Sequence, residues 1–188
     1  HNNNEWHLSL DYNTLSVANI QKSKLFSTVI SEKYNDPGHI KRIDFLKYLE
    51  KNKVNFDMYG VGNKWKFENY RKPLPDHCKD EGILPYKYTF NAENFSINNY
   101  YTEKIVDGIL GECLVFYWGC PNLEKYIDSR AYVRLDLSNF ENDMKIIETA
   151  IREDWHYQRL PFIKAAKQKI LNELQFFPRI EKIIQSNL

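Results

Sequence analysis

Lys104 is the residue whose placement first suggests chemistry. It stands in Thr102-Glu103-Lys104, where a capping threonine predicts the start of a helix. The free N–H groups of a first helical turn carry partial positive charge, so a cation there costs about 0.3–1 kcal/mol at the surface. A phosphate held jointly by those N–H groups and the ammonium turns the cost into a gain. The same lysine extended into water, or paired with Glu103 or Asp107, needs no ligand, and the sequence leaves those alternatives open. Arg42 poses a similar question. It lies early in a second predicted helix, beside Lys41, and the apolar stripe of that helix uses neither side chain. A guanidinium suits paired phosphate oxygens, and an exposed surface arginine is the plain alternative. Metal chemistry has no comparable signal. The chain holds no Asp-x-Asp pair, and the adjacent His77 and Cys78 lack the further partners a metal site needs.

The elements around these residues read as strand–helix–strand units. Tyr86, Tyr88 and Phe90 alternate with Lys87 and Thr89, which predicts a strand. A polar loop, 91–101, precedes the helix that opens at Thr102, carries Ile105, Ile109 and Leu110 inward, and is expected to stop at Gly111 as its C′ residue. The apolar run 113–118 then predicts a strand covered on both faces, ended by Gly119. An earlier unit has the same form. Residues 25–30 predict a strand, and Asp36 caps a helix with Pro37 at its first position. Ile40, Ile43, Leu46 and Leu49 form the buried stripe of that helix, and 55–59 predict the next strand. Two such units predict an α/β fold, a doubly wound and mostly parallel sheet of Rossmann type.

The remaining segments are less patterned. Residues 1–24 begin without a core period and read as a linker or the tail of a preceding segment, anchored by Trp6 and Leu8. Residues 61–85 contain Pro73, Pro75 and Pro85 and read as one long connection without regular structure, of the length that often covers a ligand. Beyond Gly119, a short helical piece near 122–126, a strand at 131–135 and a helix at about 141–152 are expected, with one or two terminal helices over 163–188. The organisation expected is therefore a 1–24 linker, a 25–162 ligand-binding domain and a 163–188 helical end.

Composition bounds the function. With 188 residues, 43% hydrophobic and 27% charged, the chain suits one soluble globular domain. A net charge of +1 gives no electrostatic reason to expect nucleic acid or an anionic membrane as partner. No apolar run approaches a membrane span and no signal peptide is visible, so this chain is expected neither to span nor to insert. The three cysteines, Cys78, Cys113 and Cys120, show no C-x-x-C spacing, and neither a disulfide framework nor a zinc site is expected.

Several linked motifs carry a resemblance. Tyr86-Lys87-Tyr88, Glu93-Asn94, Tyr100, Thr102-Glu103-Lys104 and Phe116-Tyr117-Trp118-Gly119, at these spacings, resemble glycosyltransferase family 10, the alpha-1,3/4-fucosyltransferases. Tyr88 stands where that pattern has Phe, Phe95 where it has Ser, and Tyr101 where it has Val. The resemblance covers about 25–162 and implies the C-terminal, donor-binding half of a GT-B glycosyltransferase. It implies GDP-fucose as donor, a glycan hydroxyl as acceptor, inversion at the sugar carbon, and a separate N-terminal half that supplies the acceptor site and general base. A non-catalytic nucleotide-sugar-binding or assembly module of the same fold is the alternative, and an unrelated doubly wound protein a further one. By carry-over, Arg42 and Lys104 would face the diphosphate, and Asn94 and Tyr100 the phosphate or sugar. Glu103 offers two acceptor oxygens for a pair of ribose hydroxyls, and Glu93, above the same cleft, would accept from sugar hydroxyls. No cofactor and no metal are expected, since side-chain cations and a helix start can neutralise a departing diphosphate. The expected location is cytoplasmic, or the Golgi lumen if the chain comes from a membrane-anchored eukaryotic parent.

Overall fold

The computed structural model describes residues 6–185. In chain order the elements are α1 (Tyr12–Val17), β1 (Lys24–Ile30), α2 (Pro37–Lys51), β2 (Asp57–Gly60), β3 (Tyr70–Pro73), α3 (Asp80–Ile83), β4 (Tyr86–Ala92), α4 (Glu103–Leu110), β5 (Leu114–Trp118), β6 (Tyr132–Arg134), α5 (Phe140–Arg152), α6 (Trp155–Lys169) and α7 (Phe176–Gln185). Six strands form one sheet in the order β3-β2-β1-β4-β5-β6. Every neighbouring pair is parallel. The chain winds outward from β1 in one direction, returns, and winds from β4 in the other, which is the doubly wound topology expected.

The sheet's two faces are read from single strands. Ser27, Thr89 and Val115 lie in one register row, and α3 and α4 cover that face. Phe90 lies on the other, where its ring meets Phe45 of α2 at 5.3 Å, and Phe45 in turn meets Phe140 of α5 at 5.3 Å. All five residues of β5 are buried, as a continuous apolar run requires. Tyr88 stacks on Phe116 at 5.6 Å in the middle of the core. No helix among the described residues is long and apolar enough to cross a membrane.

Four expectations change. Residues 61–85 are not one irregular connection, because β3 and α3 lie within them. Pro73 is accommodated because β3 is an edge strand, where a missing N–H leaves no ladder position empty. The stretch expected as linker is packed: Trp6, Leu8 and Leu15 are buried in the main core. The boundary expected at 162/163 falls inside α6, which runs through Pro161 without ending. Finally, Gly111 follows α4 with an ordinary φ of −73°, and the left-handed residue is Glu112, at φ 58°. Gly111 is small for packing, since a Cβ there would meet Ile83 Cγ2 at 2.5 Å.

Candidate functional site

Where a doubly wound sheet reverses direction, the loops leaving the two central strands diverge and open a crevice at the carboxyl edge. Here that point lies between β1 and β4. A cleft of about 340 Å³ occupies it, walled by Ser31 after β1, Gly60 at the end of β2, Asn94 after β4, Arg42 from α2, and Glu103 and Lys104 from α4. Arg42 and Lys104, 62 positions apart in the sequence, thus meet over one opening.

Arg42 is brought there by a helix start fixed in two ways. Asp36 and His39 form a reciprocal capping box, and Pro37 presets the first turn. Gly38 allows α2 to lie against the chain after β4: its N–H donates to Asn94 O at 2.9 Å, and a Cβ there would lie 1.8 Å from Glu93 O. Any other residue would push the helix off. Arg42 is only 4% exposed. Its Nη2 donates to Ser31 Oγ at 2.8 Å, while Nε is buried with no partner among the described residues. Burial brings its pKa down to about 10, against the opposing pull of Glu93, Asp36 and Glu103, so it is a cation at neutral pH. A buried cation with donors left over is costly unless something else receives them.

Lys104 enters from the first turn of α4, where Thr102 Oγ1 accepts from its backbone N–H. Its ammonium lies 3.2 Å from Thr102 Oγ1, 3.4 Å from Glu103 Oε1 and 3.5 Å from Glu93 Oε2. Of the alternatives left open by the sequence, pairing with Glu103 is observed. Asp107 instead takes Lys79, at 2.7 Å. Glu103 also stands 3.7 Å from Lys79. Burial raises its carboxyl pKa, but Lys104 and Lys79 outweigh that and hold it below the ordinary carboxylate value.

One expected site residue is engaged otherwise than its carry-over implies. Glu93 is fully buried, and both its oxygens are engaged. Oε1 accepts from Thr102 N at 2.9 Å and from the Tyr117 hydroxyl at 3.3 Å, and Oε2 accepts from Thr102 Oγ1 at 2.7 Å. Both oxygens thus serve to hold the start of α4. Tyr100 lies close enough to Glu93, Glu103 and Asp36, around the cleft, to feel their charge. Its phenol pKa is raised by burial and by the nearby carboxylates Glu93, Glu103 and Asp36. Asn94 lines the cleft as expected.

The structure adds Lys33, Lys79, His7, His39 and His77 to the wall. His7 and His77 meet edge to face at 4.7 Å. His39 belongs to the local cap of α2, whereas His7 reaches the cleft through tertiary contacts, its N–H donating to Asp107 Oδ1 at 2.7 Å. Of the aromatics in residues 61–85, Phe67 is in the core and Trp65 packs on Tyr34 at 4.9 Å, so neither lines the cleft. Among the described residues no group of three His, Cys, Asp or Glu side chains is placed to hold a metal ion.

Cations converging at a switch point, with an unused guanidinium edge, are suited to an anionic nucleotide. Comparison with known proteins agrees: residues 19–159 match the family model described as glycosyltransferase family 10 (fucosyltransferase), C-terminal. The chain belongs to glycosyltransferase family 10. An alpha-(1,3)-fucosyltransferase, FucT, of Helicobacter pylori is 31% identical over 71 residues, 37% of this family 10 chain and 15% of FucT. A solved alpha1,3-fucosyltransferase with GDP-fucose gives a TM-score of 0.58 at 23% identity, covering 76% of this chain and 40% of that one. The same enzyme type with GDP gives 0.59 at 23% identity, covering 76% and 39%. The C-terminal domain of a group 1 glycosyl transferase, LpcC, from Francisella tularensis gives 0.50 at 8% identity, covering 92% of this chain and 96% of that domain. This family 10 chain matches 15% of the curated relative's length and about two fifths of the solved fucosyltransferases. The architecture it shares with them is that of a GT-B glycosyltransferase half.

Proposed function

We propose that this chain is the donor-binding domain of an inverting fucosyltransferase and takes GDP-fucose. The observation that carries the reading is the convergence of Arg42 and Lys104 on one cleft at the β1/β4 switch point. Departure of a sugar from a nucleoside diphosphate leaves negative charge on the diphosphate, and preorganised cations are what stabilise it. The Nη1 of Arg42 donates to no acceptor among the described residues, so it receives a phosphate oxygen without breaking an existing bond. Lys104 exchanges its contacts with Glu103 and Glu93 for phosphate oxygens. Glu103, released from Lys104, accepts from ribose hydroxyls. The solved relatives with GDP and GDP-fucose support this choice of nucleotide. A second, N-terminal half is proposed to carry the glycan acceptor site and the base that deprotonates the acceptor hydroxyl. This chain alone is accordingly expected to bind donor and to transfer sugar slowly or not at all.

Isothermal titration with GDP, GDP-fucose and UDP tests the reading. Saturable binding of the guanosine ligands, tighter than UDP, is the expected result. Absence of saturable heat with any of them at millimolar ligand would remove the donor site.

A further inference from the structure

Glu93 stands at the end of β4 with contacts that reach both cation-bearing helices. Its side chain accepts from the N–H and hydroxyl of Thr102, the residue that caps α4. Its backbone N–H donates to Trp118 O at 2.9 Å, tying it to β5. Its carbonyl oxygen is the atom that a Cβ on Gly38 would approach to 1.8 Å, and Asn94 O, next along the chain, accepts from Gly38 N at 2.9 Å. The space for its side chain is itself kept open by a glycine: a Cβ on Gly119 would lie 2.4 Å from Glu93 Cγ and 2.6 Å from the Tyr117 hydroxyl oxygen. The start of α2 and the start of α4 are therefore referred to the same residue. Arg42 and Lys104 project from those two starts.

We infer that Glu93 is a positioning residue: it sets the spacing between Arg42 and Lys104 and holds the Lys104 ammonium beside the cleft until an anion takes it. Its effect on nucleotide affinity rests on the donor-site reading above; its effect on the two helix starts does not. A carboxylate with four donors around it is strong enough for the task, since hydrogen bonds to a charged acceptor exceed neutral ones by about twofold. Only the carboxylate form suits all of these donors. An amide in its place has one acceptor oxygen and presents N–H groups toward Thr102 or Lys104.

Hydrogen exchange on wild type and Glu93→Gln, combined with titration of GDP and inorganic pyrophosphate, tests this. Faster exchange is expected in both 36–42 and 99–106, with the strands unchanged, and nucleotide and pyrophosphate affinity should fall together by about tenfold. Lys104→Ala should cost less in the Glu93→Gln background than in wild type, a coupling that loss of general stability does not produce. Glu93→Asp, which keeps the charge, should regain part of the affinity. If Glu93→Gln does not fold, Thr102→Val removes one of the same bonds and should give the same pattern at smaller amplitude. Exchange that rises only in 99–106, or uniformly over the sheet, overturns the inference. Wild type that binds neither ligand removes the donor-site reading, and the exchange pattern then still decides the role of Glu93.

Discussion

The two ends of the sheet both bury cations, and they treat them differently. At the amino edge, Lys22 donates to Leu84 O at 2.9 Å and to Gly111 O, and it lies 3.6 Å from Cys113 Sγ. Lys167, 2% exposed, meets Glu112 at 2.8 Å, and His156 Nε2 bonds Glu112 O at 2.9 Å. That cluster is closed: every cation in it has its acceptors. At the carboxyl edge Arg42 is about as deeply buried, yet among the described residues its guanidinium bonds Ser31 alone and its Nε has no partner. Burying charge costs free energy at either end. At the amino edge direct partners offset the cost, whereas Arg42 has one hydrogen bond and the more distant pull of Glu93, Asp36 and Glu103, so the carboxyl edge is where a ligand has most to contribute.

The comparison breaks most readily at its closed end. Lys167→Met strands the Glu112 carboxylate, leaving Lys164 at 3.9 Å as its remaining ion-pair partner among the described residues. A loss of about 3 kcal/mol in denaturant unfolding is expected, with GDP affinity unchanged in the folded fraction. At the open end the result should reverse. Arg42→Met keeps the volume and removes an under-satisfied charge, so stability should stay within about 1 kcal/mol of wild type. GDP affinity should fall by about 10- to 100-fold, corresponding to about 1.5–3 kcal/mol for hydrogen bonds to a charged group. Lys104→Ala should weaken GDP by about tenfold, less than Arg42→Met, because its ammonium must first leave Glu93 and Glu103. Wild-type affinity in both variants would remove the assignment.

A smaller effect is read from pH. Burial, the leading cause, lowers the pKa of His156 in the folded protein. Below about pH 6.5 the unfolded chain takes a proton that the folded chain refuses, so stability is full above that pH and declines as pH falls through the folded value. His156→Gln should flatten the drop in Tm between about pH 7 and pH 5.5. An unchanged slope would show that other groups govern it. The least of the effects is salt dependence: nucleotide affinity should weaken as ionic strength rises, more for wild type than for Lys104→Ala, while unfolding of the closed cluster responds little.

Much of this arrangement is legible in the residues themselves. The units around β1, α2 and β2, and around β4, α4 and β5, follow from period and caps, since Asp36, Pro37 and Thr102 act locally. The meeting of Arg42 and Lys104 is implied by the family resemblance, and topology accounts for it by bringing both helix starts to one edge. What was hidden depends on contacts across the fold. Tyr70–Pro73 has no alternating pattern, and only pairing with β2 makes it a strand. Glu93 resembles a ligand residue until Thr102 and Tyr117 are seen to surround it. Glu112 adopts a left-handed backbone that no local signal announces, held by Lys167 and His156 from α6.

The segment before β1 has a practical consequence for anyone dividing this chain. His7 carries the tie between the loop 75–79 and α4, with its carbonyl accepting from Lys79 N at 2.6 Å and its N–H donating to Asp107. Trp6, Leu8 and Leu15 fill core positions beneath it. A polypeptide trimmed to the family-matched span, 19–159, would part with these side chains and cut α6 short. It would expose the apolar surface they cover and unfasten one wall of the cleft between β1 and β4.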